Sequence, residues 1–596
     1  MPACSIAIVG MACRLPDAAD LPTLWQNLLD KKSSFRDIGS ARWDPDAFFS
    51  TNPRAVNCTN CRRAALLENV EWFAGRALGI APRRATVMDP QQRIMLELAA
   101  EALQDSGLET ESYAREHTGT FVGASVCEYA SLLTAALRWT QLNGGQFGEV
   151  PAANPGLEPV ARLPTVRSYT VPGSLISMSA SCVAQALDLR GPALTVDAAC
   201  ASSAASIIQA VQYLQGLGPR DGAAPVALAG GVYLLLLPDN FVGFSKIGAL
   251  ASEECRPFDA GASGFLFGEG GAMVVLKRLQ DAVSDGDRIY AVLRSTAWSN
   301  DGRSDSPMTP QVAGQLAALR QALVDAALPP EELGYVECHG TGTPVGDRTE
   351  LLALGLALGA RPEPLWLGSI KANIGHALSA AGAAGLLRAA LAVYHGRIPP
   401  QAAWERWHPD LEDLSAKFRL PVEPVPWSAR PRSAMVNAFG FGGTNCSLLL
   451  QSWDRDPPPG DLDREVPVCC SADSRELLLS YLRSVRSSLR AGSPFPAVAY
   501  TVTAARRLRS EAALFMAGDS QQALSKLDEL LAGSPPAGTF LGPSNLLAEA
   551  PDANAQAGRR IATGSARDLF PPSHRRIVTL APVPVARERY WLTPER

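Results

Sequence analysis

Up to about Ser452 the chain alternates short runs of β-branched residues with longer Ala- and Leu-rich stretches, which restricts it to a layered α/β fold. Segments 6–10, 119–124, 193–198, 226–232, 272–279 and 446–451 read as strands, and 89–106, 200–216, 311–326 and 377–395 as helices. DRDPPPGD at 454–461 breaks the pattern and is a linker by composition. Beyond it VPVCCSA and AALFMAG flank helical stretches at 474–491 and 520–532, enough for a small α/β unit. A Gly-, Pro- and Ala-rich stretch covers 533–570, and the end of the chain is basic and aromatic. The expected division is a body at 1–452, a Pro-rich linker at 453–464, a small unit at 465–535 and a final segment at 536–596. No internal repeat stands out.

At 596 residues the chain exceeds one ordinary domain of roughly 100–200 residues. Lys+Arg 54 against Asp+Glu 59 leaves a net charge of −5, so a nucleic-acid partner is not expected. The longest apolar run, 226–237, stops at Pro238, short of the ~20 residues of a spanning helix, and no membrane partner is expected. The opening MPACSIAIVGMACRLP reads as a strand that enters the fold at once, without a leader. Twelve irregularly spaced cysteines favour a reducing cytoplasm. Cys58 and Cys61 have no second pair or histidine at finger spacing, so no metal is expected.

Four segments carry chemistry. In ALTVDAACASSAASIIQAVQYLQG (193–216) a strand runs into a turn of small residues, and Cys200 falls at the first turn of a long helix. Unpaired N–H groups and the helix dipole there favour a thiolate and hold a developing oxyanion. The competing reading is a buried structural cysteine. In VECHGTGTPVGDRTE (336–350) a strand delivers His339 into a Gly/Thr loop. LGSIKANIGHALSAAGAAGLLRAAL (367–391) sets Lys371 five residues before His376 with a helix behind. NAFGFGGTNCSLLL (437–450) holds a glycine turn able to aim a backbone N–H at a nucleophile. Gly340, Gly342 and Gly346 fit neither the dinucleotide loop nor the P-loop. One cysteine and two histidines, without acidic metal-ligand spacing, point to acyl transfer through a thioester.

The order VDAAC, HGTGT, KANIGH, GFGGTN resembles the ketosynthase domain of modular type I polyketide synthases, within the thiolase-like condensing enzymes. IAIVGMACRLP (6–16), MDPQQRIMLELAAEALQDSG (88–107), FVGAS (121–125), RPFDAGASGFLFGEGGAMVVLKRL (256–279) and NDGRS (300–304) agree, and the likeness runs over 5–451. Past 465 the small unit resembles the linker domain that follows such ketosynthases, and RERYWL (587–592) the end of the post-acyltransferase linker that packs back on them. The resemblance implies a thiolase-like five-layered αβαβα body with a small appended α/β linker domain.

It also implies a decarboxylative Claisen condensation on acyl chains carried by the phosphopantetheine of acyl carrier protein, with no cofactor bound by this chain. Cys200 would be the nucleophile, and the amides of Cys200 and Phe441 the oxyanion hole. His339 and His376 would stabilise the enolate as neutral N–H donors, with Lys371, held by Glu350 or Asp347, orienting His376. Thr341 and Thr343 would bond the pantetheine arm, Phe441 would gate the nucleophile, and Asn445 would support the site. Departures from the family pattern are Ala198, Ala201, Cys338, Cys446-Ser447, the segment 304–311, and Val583 and Val585 in place of an aromatic pair. Alternatives are a non-elongating (transacylating) or branching ketosynthase, a thiolase using Cys338 or Cys446, and a carrier-protein docking scaffold.

From the small unit's expected end near 533 to RERYWL at 587 lie about 50 residues, below the ~100 of a catalytic domain, and no Gly-His-Ser-x-Gly occurs. The expectation is a trans-acyltransferase type, served through the carrier by a separate acyltransferase. A second copy is expected to pair through the strand before Cys200.

Overall fold

The computed structural model describes residues 5–592 apart from 41, 53, 110–112, 144–163, 218–222, 305, 307, 455–463 and 552–553. Its body uses one topology twice. The first half comprises β1 (Ile6–Arg14), α1 (Pro90–Ser106), β2 (Gly119–Gly123), α2 (Met178–Ala186), β3 (Ala193–Val196), α3 (Ser202–Gly216), β4 (Ala227–Tyr233) and β5 (Gly270–Arg278). Its strands lie in the order β3-β2-β4-β5-β1. The second half comprises β6 (Ala291–Asn300), α4 (Val312–Ala326), β7 (Leu333–Glu337), α5 (Pro344–Leu358), β8 (Leu365–Gly368), α6 (Ala381–His395), β9 (Ser433–Phe439) and β10 (Thr444–Gln451). The order is β8-β7-β9-β10-β6, with Phe418–Arg419 added beyond β8. In each half the first three strands are mutually parallel and the remaining pairings antiparallel. β1 and β6 pair antiparallel at Ile6–Ile8, which joins the two sheets edge to edge.

α3 and α6 lie between the sheets. A helix walled by strands on both sides has no solvent face, so it must be apolar all round, and α6 is buried without interruption from Ala381 to Val393. α1 and α2 cover the outer face of the first sheet, α4 and α5 that of the second, each over its own apolar cluster. This is the five-layered αβαβα order that the resemblance implies. The one charge in that buried run, Arg388, lies 3.4 Å from Glu337 at the end of β7. Glu337 also accepts from Ile370 N at 2.7 Å, which ties the exit of β8 to the exit of β7.

The small unit contains β11 (Val466–Ala472), α7 (Arg475–Arg490), α8 (Phe495–Ala504), β12 (Glu511–Ala517), α9 (Ser520–Leu531), β13 (Phe540–Pro543) and α10 (Ala555–Ala562), with an antiparallel sheet β11-β12-β13. The expected end at 535 is corrected by this pairing, because β13 supplies the third strand. The reason lies in β12. Ala513 and Phe515 face the α7 side, but Ala512 and Leu514 on its other face are equally buried, so that face requires cover. Leu547, Ala557 and Ile561 provide it. The expected Pro-rich linker lies almost wholly outside the described residues. At the chain's end, Glu588–Arg589 pairs with Trp72–Phe73, and the buried Arg93 donates to the Tyr590 carbonyl at 2.6 Å.

Candidate active site

The chain leaves β3 toward Cys200, β7 toward His339, β8 toward Lys371 and His376, and β9 toward Phe441. Crevices outside the carboxyl ends of parallel strands are where layered α/β folds bind ligands. A cavity of about 280 Å³ there is lined by Cys200, His339, His376, Thr341, Thr343 and Phe441.

Cys200 is not in the first turn of α3, as its sequence position predicts, but in a separate 3-10 turn, Ala199–Ala201. Ala199 takes a left-handed φ of 50°, a conformation that costs an L-residue about 1–2 kcal/mol. The backbone N–H groups of Phe441 and of Cys200 itself lie near enough to the sulfur to favour its charged form. Phe441 comes so near because Gly440 packs on the nucleophile turn, where a Cβ would lie 2.3 Å from the Ala198 carbonyl. Burial pushes the Cys200 thiol up to about 11, opposed by the charge of Lys371 and by the two amides. Cys446, without those opposing groups, is pushed up to about 12. Cys446 and Cys338 are buried in apolar core clusters and do not line the cavity, so neither faces the space beside Cys200.

The His339 Nδ1 accepts from the Phe439 amide at 3.3 Å, which leaves the imidazole proton on Nε2. His376 lies beside it, ring centroids 5.4 Å apart at 83°, with the Phe265 ring edge-on at 5.0 Å. Burial and then the positive charge of Lys371 hold both imidazoles well below the ordinary 6.5. Both are neutral N–H donors.

The expected pairing of Lys371 with Glu350 or Asp347 is corrected. Lys371 Nζ donates to the His339 carbonyl and forms no ion pair among the described residues. Glu350 instead accepts from the His339 and Gly340 amides, both at 2.9 Å, and from Asn437 Nδ2 at 3.0 Å. Asp347 accepts from the Thr341 and Gly342 amides, both at 3.1 Å, and from Phe258 N at 2.7 Å. The loop turns its N–H groups inward through Gly342 at φ 77°, and buried N–H groups require acceptors, which occupies both carboxylates. Burial pulls Lys371 below the usual lysine range, against the charges of Glu337 and Glu350. Lys371 thus braces the backbone of His339, not the ring of His376.

Thr341 and Thr343 bring their hydroxyls 2.8 Å apart on the wall. Phe441 packs against Phe244 with centroids 5.5 Å apart. Asn445 braces the glycine turn, donating to Asp301 Oδ1 at 2.7 Å and to the Gly443 carbonyl at 3.0 Å. Asn437, Glu337 and Phe265 escaped the sequence reading. For Asn437 the available signal was a lone amide in the apolar strand SAMVNAF. Among the described residues no three His, Cys, Asp or Glu side chains group as metal ligands, and no helix is long and apolar enough to cross a membrane.

The profile "Beta-ketoacyl synthase, N-terminal domain" matches residues 3–282, and "Beta-ketoacyl synthase, C-terminal domain" matches 290–405. The chain is 40% identical over 463 residues to a component of the phenolphthiocerol/phthiocerol polyketide synthase of Mycobacterium tuberculosis (strain CDC 1551 / Oshkosh), covering 76% of this chain and 23% of that one. It is 35% identical over 546 residues to another component of the phenolphthiocerol/phthiocerol polyketide synthase, from Mycobacterium bovis (strain ATCC BAA-935 / AF2122/97), covering 89% of this chain and 28% of that one. The chain therefore spans about a quarter of the length of these curated relatives. The ketosynthase from module 6 of the bacillaene synthase of Bacillus subtilis 168 superposes with TM-score 0.82 at 27% identity, covering 99% and 100% of the two chains. The oxazolomycin ketosynthase domain of Streptomyces albus JA3453 gives 0.85 at 29%, covering 99% of each.

Proposed function

The chain belongs to the beta-ketoacyl synthase family, and from that membership we propose that it extends carrier-bound polyketide chains through Cys200. The observation that carries this reading is the convergence on one cavity of a thiol, two backbone N–H groups and two neutral imidazoles, with the nearby carboxylates already bonded to backbone. Cys200 Sγ attacks the thioester carbonyl of an acyl carrier protein, and the carbonyl electron pair rests on oxygen between the N–H groups of Cys200 and Phe441. Collapse expels the carrier thiol, which takes up the proton. Malonyl on a second carrier then loses CO₂, and His339 and His376 donate to the enolate oxygen. The enolate carbon attacks the Cys200 thioester, forming the carbon–carbon bond and returning the thiolate. The pantetheine arm passes the paired hydroxyls of Thr341 and Thr343. Intact-mass spectrometry after incubation with a panel of acyl thioesters tests the reading, which requires a single acyl group on Cys200.

The neutral histidines set a pH dependence. Because their folded-state values lie well below 6.5, lowering the pH from 8 through 6.5 leaves them uncharged. The CO₂-release rate from malonyl carrier is expected to stay flat over that range and fall only in stronger acid. A midpoint near pH 6.5 would mean that the imidazoles are solvated.

A second copy of the chain is the proposed partner at the edge of the first sheet. β3 is a terminal strand whose Leu194 is 47% exposed, and Val171 and Leu175, nearby in sequence to the covering helix α2, are exposed as well. An unpaired apolar edge invites strand pairing. Light scattering at micromolar concentration is expected to give twice the 63.1 kDa of one chain, and a value of one chain would contradict the pairing.

A further inference from the structure

We propose that Ser202, buried directly beneath the nucleophile turn, is the positioning residue that aims the Cys200 amide at the reacting carbonyl oxygen. The proposal rests on the reading of Cys200 as nucleophile. The Ser202 Oγ accepts from the Ala198 amide at 2.9 Å and lies 2.6 Å from the Ala199 carbonyl oxygen. A carbonyl only accepts, so the single Ser202 proton points at Ala199. The Ser125 hydroxyl, 3.1 Å away, must then donate to Ser202. On the other side, Asp197 Oδ1 accepts from the Ala199 amide at 2.9 Å. Ser202 and Asp197 together grip the one residue of this turn whose φ, 50°, is unfavourable for an alanine. The Ala199–Cys200 peptide takes the Ser202 end of this grip, because its carbonyl is the oxygen Ser202 holds and its N–H is the Cys200 amide. Fixing that carbonyl fixes the opposite direction of the N–H. Without the hydroxyl, Ala199 is free to relax toward ordinary φ values and swing the amide off target.

The test compares two reactions of one sulfur. Acylation by a thioester passes through an oxyanion: the S–C bond forms, the carbonyl pair moves to oxygen, and collapse releases the carrier thiol. Alkylation by iodoacetamide forms an S–C bond at a saturated carbon and expels iodide with its electron pair, the thiol proton passing to solvent, so no oxyanion arises. Ser202→Ala is expected to slow acylation about 100-fold, the penalty of misplacing one catalytic donor, while alkylation changes less than about threefold. Ser125→Ala, at a half-buried hydroxyl one bond further out, is expected to show the same selectivity at smaller size, and it decides the matter if Ser202→Ala does not fold. Equal slowing of both reactions, or of neither, overturns the positioning role. Wild-type protein that takes its acyl group on a residue other than Cys200 overturns the underlying assignment instead, so the two failures are distinct.

Discussion

Cys200→Ala is expected to abolish acyl uptake, whereas His339→Ala keeps uptake near the wild-type rate and slows carbon–carbon bond formation by roughly 10²- to 10⁴-fold. The asymmetry follows from where each group stands. Both N–H groups at the sulfur are backbone, from Cys200 and Phe441, and neither depends on a histidine side chain. The imidazoles stand 5.4 Å apart as neutral donors, suited to an enolate oxygen that exists only after decarboxylation. Their loss therefore reaches only the second half of the reaction. Intact mass reads the first half and product analysis the second. Acyl mass persisting in Cys200→Ala would defeat the assignment. Equal loss of both steps in His339→Ala would defeat the division of labour, as would a scaffold indifferent to both variants.

The second large effect concerns malonyl loading. We propose that this ketosynthase depends on a separate acyltransferase. Residues 536–586 hold even less free chain than the sequence implied, because 540–543 form a strand and the chain through Phe570 packs into the small unit. Fewer than about 20 residues then run to Arg587, far below the ~100 of a catalytic domain. The solved bacillaene ketosynthase, co-extensive with this chain, gives the same frame. Incubation with malonyl-CoA and a cognate holo carrier is expected to leave the carrier unmodified, and addition of a malonyltransferase to load it fully. Efficient malonylation by the chain alone would overturn the proposal.

The elements, and the side chains that the structure gathers around one cavity, were legible in the residues themselves. The alternation of β-branched and Ala-rich runs located most strands and helices of the body, since side-chain periods of 2 and 3.6 are properties of neighbouring residues. Cys200, His339, His376 and Phe441 were found for the same reason, each standing in a short run of small or turn-forming residues just past a strand. What neighbouring residues do not encode is which partner each group meets. Glu350 and Asp347 looked like counter-ions for Lys371, but buried backbone N–H groups claimed both carboxylates once the loop closed on them. The tautomer of His339 depends on Phe439, 100 positions away, and the hydroxyl of Ser202 meets that of a serine at 125. The duplicated body went unseen because the two halves repeat an order of strands and not a string of residues. The small unit's true extent was hidden in Gly- and Pro-rich chain, and only the bare second face of the strand Glu511–Ala517 required that chain to return and cover it. Local pattern determined the elements and the residues that meet at the cavity. Burial, which forces every enclosed polar group to find an acceptor or donor wherever the fold supplies one, decided how those groups are wired together.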